Sequence, residues 1–129
     1  MELVIWSVES AKIQILKSNP PKIQVEALGT VSSSGWKNGR LVAHMYFKPP
    51  QDGLQDFTFI ATPPPGVARP ALESDFPGSG WTPMFDWLKG IRIHATTNTL
   101  EVLLTDASTT TSSLDDPHRL DNDHWPFPL

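Results

Sequence analysis

The chain has no cysteine, which excludes disulfide bridges, thiolate-ligated zinc and thiol catalysis together. It has no apolar run approaching the ~20 residues of a membrane-spanning helix, so no membrane partner is expected. Basic clusters are missing too. Residues 106–129 hold Asp106, Asp115, Asp116, Asp121 and Asp123 against Arg119, and the remaining chain holds nine acids and nine bases. A neutral body with an acidic tail offers no footprint to a phosphate backbone, so nucleic acid is not an expected partner. The opening MELVIWSVES lacks a basic n-region and a small-residue cleavage site. On this ground a soluble protein is expected, with the cytoplasm favoured. Ser32, Ser33 and Ser34 stand in no strained elbow, and Gly35, Gly39, Gly53 and Gly66 punctuate strands rather than form a phosphate loop. No cofactor is implied.

What is present is period-two alternation broken by proline and glycine. The 13 prolines are about twice the usual share, and they fall between apolar runs, where a residue without an N–H stops a ladder. Strands are predicted over Leu3–Val8, Lys12–Lys17 and Ile23–Ala27. A bulge is expected at Gly29, because the apolar register resumes at Val31. The next strand is predicted to place Leu41, Ala43, Met45 and Phe47 inward and Val42, His44, Tyr46 and Lys48 outward. Another is predicted over Phe57–Ala61, after an Asp52-Gly53 turn. Val67–Leu72 reads as an edge strand and Asp75–Trp81 as loop. Thr82 and Pro83 suit an N-cap and first helical position, so one short helix is predicted at 83–89, with an aromatic strand as the alternative. Ile91–Thr105 reads as a hairpin pairing Ala95 with Leu100, Ile93 with Val102 and Ile91 with Leu104, with His94 opposite Glu101.

About seven strands with turns every ~8–12 residues predict an all-β single domain, an immunoglobulin-like Greek-key β-sandwich, with a small β-barrel as the alternative. The domain is expected over 1–105. Residues 106–129 read as an acidic tail, whose Trp125-Pro126-Phe127-Pro128-Leu129 is apolar enough to dock on the domain or on a neighbour.

The block from Gly29 to Gly66 resembles a family of small bacterial β proteins. The pattern is carried by Gly29, Val31, Gly35, Trp36, Asn38, Tyr46, Pro49, Pro50, Asp52, Gly53, Asp56, Phe57, Phe59, Pro64 and Gly66. The family brings no established activity, so the resemblance implies a unit of fixed shape and transfers no catalytic residue. It also implies export, which the start of this chain does not support.

Five residues are candidates for a binding site: Trp36, His44, Tyr46, Asp52 and Asp56. Asp52 and Asp56 bracket a turn and form a carboxylate pair, fit for acid–base work or a hard cation, or simply for holding the turn. His44 and Tyr46 share one face of a strand. Trp36 is a loop aromatic, fit to anchor a partner or to plug the end of the fold. His118, Asp121 and His124 have the composition of a transition-metal site. With stiff proline loops and no catalytic constellation, a non-enzymatic interaction module is expected, with a protein partner or self-association. A metal-binding protein or metal-dependent hydrolase and a carbohydrate-binding module are the alternatives.

Overall fold

The alternating runs become strands because each buries one face. The computed structural model describes residues 1–66 and 69–110. The strands are β1 (Leu3–Val4), β2 (Ser7–Leu16), β3 (Lys22–Val31), β4 (Lys37–Ala43), β5 (Leu54–Thr62), β6 (Glu73–Pro83), β7 (Gly90–His94), β8 (Thr99–Leu103) and β9 (Ser108–Thr110). They form one mixed sheet in the order β8-β7-β5-β4-β6-β3-β2-β9, with β1 added along β5. The neighbours β5 and β7, β4 and β6, and β2 and β9 run parallel.

Seven of these strands curl into a sheet nearly closed into a barrel, not clearly an immunoglobulin-like sandwich. One interior is shared by alternate residues of almost every strand: Ile13, Val25, Phe57, Phe59, Ile91 and Ile93 are essentially inaccessible to water. Closure is made by the chain between β1 and β2. The amide of Ile5 donates to the carbonyl of Phe59, and that of Trp6 to Thr30. The amides of Thr96 and Thr97, in the β7–β8 turn, donate to the carbonyls of Ile5 and Trp6. Asn98 completes the seam. Its Oδ1 accepts from the Val8 amide at 2.8 Å and its Nδ2 donates to the Val8 carbonyl at 2.7 Å. A side-chain amide here replaces a strand neighbour, satisfying backbone groups that an open edge would leave to water.

The bulge at Gly29 is present, as a register shift between Gly29 and Val31, and Phe57, Phe59 and Ala61 face inward as predicted. Other expectations are corrected. Leu3–Val8 is split at Ile5 and Trp6, and β2 runs on through the second predicted strand to Leu16. The segment 75–81, predicted as loop, lies inside β6, the strand between β4 and β3. Glycine here serves close packing: a Cβ on Gly78 would lie 2.5 Å from the Phe59 ring. Of the predicted edge strand, residues 67 and 68 lie outside the described residues and 69–72 form no strand.

There is no helix at 83–89. Pro83 closes β6, and the Met84 amide donates to the distant Pro21 carbonyl instead of starting a helical turn. The Thr82 hydroxyl, expected to cap, donates to the Pro83 carbonyl at 3.3 Å. The β7–β8 hairpin is shifted by two residues, pairing Ile91 with Val102 and Ile93 with Leu100. A shift of two keeps every side chain on its face, but puts Arg92, not His94, opposite Glu101. β4 ends at Ala43, so Met45 and Phe47, predicted inward, stand in solvent. The sheet continues past residue 105 through a 3₁₀ turn, Leu104–Asp106, into β9.

Candidate functional site

Parallel pairing of β5 with β7 sets Asp56 beside Arg92 and Thr58 beside His94 on the outer face. Asp56 is the hub. Its Oδ1 accepts from Arg92 Nη1 at 3.0 Å and from His94 Nε2 at 2.7 Å. Its Oδ2 accepts from the Tyr46 hydroxyl, and that same hydroxyl accepts from the Asp56 amide at 2.9 Å. Arg92 also holds Asp52 through Nη2, and Glu101 through Nε at 3.1 Å. The His44 ring stacks on the His94 ring, centroids 5.5 Å apart, and its Nε2 pairs with the Thr58 hydroxyl at 2.7 Å.

The electrostatics follow from this wiring. Burial pushes the Asp56 carboxyl upward, but the hydrogen bonds from Tyr46, His94 and Arg92 outweigh it and hold the group below the usual carboxylate range. The guanidinium of Arg92 holds Asp52 low as well. Burial, reinforced by the bond to Asp56, pushes the Tyr46 phenol up to about 12. A phenol that stays protonated and a carboxylate that stays ionised make a lasting donor–acceptor pair.

The cluster therefore acts as a clamp. Beyond Ala43 the chain leaves the sheet, and Tyr46 pins the departing segment to β5. Gln55 pins it from the other side, its Nε2 donating to the carbonyls of His44 at 2.8 Å and Asp56 at 3.0 Å. The clamped segment forms one wall of a cleft of about 410 Å³ at the barrel mouth, a volume in the range of ligand sites. The floor is made by Ala43, Gln55 and Thr82, inward-facing positions at the ends of β4, β5 and β6. The second wall is Pro83, Phe85 and Trp87. The rim carries Met45, 96% exposed, and Phe47, wholly exposed.

Polar residues in the floor mark where the apolar interior ends. Gln55 is 2% exposed, and among the described residues nothing donates to its Oε1. It is an acceptor in want of a partner.

Of the five residues singled out from sequence, four meet in the clamp: His44, Tyr46, Asp52 and Asp56. Trp36 does not join them. It is half-buried against the core, its indole donating to Ser33 Oγ at 3.1 Å, which is the plugging arrangement. His118, Asp121 and His124 lie outside the described residues. The pairing of Asp52 and Asp56 with His44 as metal ligands has no geometric support: His44 turns to Thr58, and Arg92 occupies both carboxylates. Among the described residues no group of three or more His, Asp or Glu could hold a metal ion. A sugar platform is equally poorly served, since Phe85 and Trp87 stack on one another at 5.0 Å and Trp81 carries the Lys22 ammonium at 4.9 Å. Sequence reasoning missed Arg92, Gln55, Phe85 and Trp87. The helix signals at Thr82 and Pro83 conceal a wall of aromatic residues in the segment 83–89.

Compared with protein-family models, curated proteins and solved structures, the chain matches none.

Proposed function

We propose that the protein is a non-enzymatic binding module that takes an aromatic or apolar group bearing a hydrogen-bond donor into the mouth of its barrel. The observation that carries this reading is the conjunction at one cleft of two fully exposed apolar side chains, Met45 and Phe47, with a buried acceptor, Gln55 Oε1. Covering each rim side chain contributes roughly 1.5–3 kcal/mol, and the acceptor fixes the orientation of a donor-bearing group. The walls are held by the Asp56 clamp and by Pro49 and Pro83, so little freedom is lost on binding. Wet chemistry is not served by the clamp, whose carboxylates are engaged by Arg92, Tyr46 and His94. A protein partner that offers an aromatic side chain meets these demands.

The test is a protein-detected NMR titration of the full chain with N-acetyl-tryptophanamide and its N-methylindole analogue. Saturable shifts at the Trp87 indole and the Gln55 side-chain amide are expected, several-fold weaker for the methylated probe and lost in the surface variant M45S/F47S. Running it also in W125A/F127A removes the chain's own aromatic competitors. Absence of saturable shifts at the mouth in both proteins contradicts the proposal.

A further inference from the structure

Strand β9 runs parallel to β2, with Ser108 beside Gln14 and Thr110 beside Leu16. The chain therefore heads for the end of the barrel where β2 stops. Leu16 pairs with Lys22, and Lys22 pairs with Pro83, which is part of the mouth. Three strand spacings, ~15 Å, separate Thr110 from the cleft. Beyond Thr110 the sequence carries 111–124 and then Trp125-Pro126-Phe127-Pro128-Leu129. A chain the length of 111–124 reaches at most ~50 Å, several times what is needed.

The chemistry fits as well as the reach. Tryptophan is a donor with no acceptor, the complement of an orphaned amide oxygen. Proline on both sides of Phe127 lowers the ordering cost of laying the segment into a groove. The chain around that end carries Lys17, Lys22, Lys48 and Lys89 as well as Asp86 and the Arg92-bound Asp52, while 111–124 brings Asp115, Asp116, Asp121 and Asp123.

Resting on the reading of the mouth as a binding site, we propose that residues 125–129 are its intramolecular occupant: Trp125 enters the cleft of its own barrel, donates to Gln55 and covers Met45 and Phe47. An external ligand then competes with the tail, and the tail sets the affinity threshold a partner must exceed. Tethering on this scale gives an effective concentration on the order of millimolar.

The experiment uses the full chain and its W125A/F127A variant, with the free heptapeptide DHWPFPL as probe. The double substitution is expected to move the Trp87 indole and Gln55 amide resonances. The peptide is expected to bind the variant about tenfold or more tightly than the native chain, and light scattering is expected to show a monomer. Equal peptide affinity for both proteins, with shifts at the mouth, overturns the intramolecular occupant and leaves the mouth as a binding site. No binding of the peptide or of N-acetyl-tryptophanamide to either protein overturns both. A dimer that W125A/F127A dissolves places the segment in a neighbour's mouth and contradicts the proposal.

Discussion

Asp56 shows how much one carboxylate does in this protein. It is the common acceptor for a guanidinium, an imidazole and a phenol, on strands β5 and β7 and on the segment beyond β4. Replacing it with alanine leaves Arg92 and Tyr46 without their shared partner. We expect D56A to cost about 2 kcal/mol in urea unfolding, in line with hydrogen bonds to charged groups, and D52A, at a more exposed group, to cost clearly less. Both carboxyls are held below their ordinary values, so the folded chain takes up these protons less readily than the unfolded one. Their stabilisation is complete above the unfolded carboxylate pKa of ~4 and is lost as pH falls through the lower folded values. An acid-unfolding curve should become less steep in D56N. Tyr46 has the opposite sense. With its phenol raised to about 12, its contribution is full below the unfolded value of ~10 and fades as pH rises through 12. The chain has one tyrosine, so absorbance titration reads this group alone. The native midpoint should lie well above that in urea, and D56N should lower it.

At the scale of elements, the barrel depends on a seam and on a tight crossing. Asn98 makes two hydrogen bonds to Val8 across the seam. N98A should cost about 1–2 kcal/mol, and hydrogen exchange should speed up first at Val8, Thr96 and Thr97. G78A drives a methyl into the Phe59 ring and should cost about 2 kcal/mol by overpacking. These two features also mark where sequence reading succeeds and fails. Faces were legible: Ile23, Val25, Phe57, Phe59, Ile91 and Ile93 were placed inward by alternation alone. Partners were not. The parallel pairing of β5 with β7 joins residues some three dozen positions apart, so no local pattern announces that Asp56 meets Arg92. β6 was hidden because glycine and proline, ordinarily signs of a turn, here let a central strand pass close under an aromatic ring. Four of the five candidate residues come together in the clamp: Asp52 and Asp56 stand out because they bracket a turn, His44 and Tyr46 because they share one face of a strand. The mouth was missed because its rim residues look like core until the strand is known to end at Ala43.

The whole molecule is a nearly closed barrel, filled at the centre and left polar at one end. The apolar interior stops at Gln55 and Thr82, and the loops around that end carry aromatic and thioether side chains outward. No helix among the described residues is long and apolar enough to cross a membrane, so a bilayer-spanning helix does not account for the exposed rim there. On the proposed function, the rim is exposed because it recognises an aromatic group. The most direct check follows the ε-methyl of Met45, one of three methionine methyls, in the full chain and in W125A/F127A. On the proposal that residues 125–129 occupy the mouth, the double substitution should move its resonance toward the position of a solvent-exposed methionine. Adding N-acetyl-tryptophanamide should then drive it upfield by the ring current of a bound indole. A Met45 methyl that stays at its exposed position in both proteins, with and without the probe, contradicts the account.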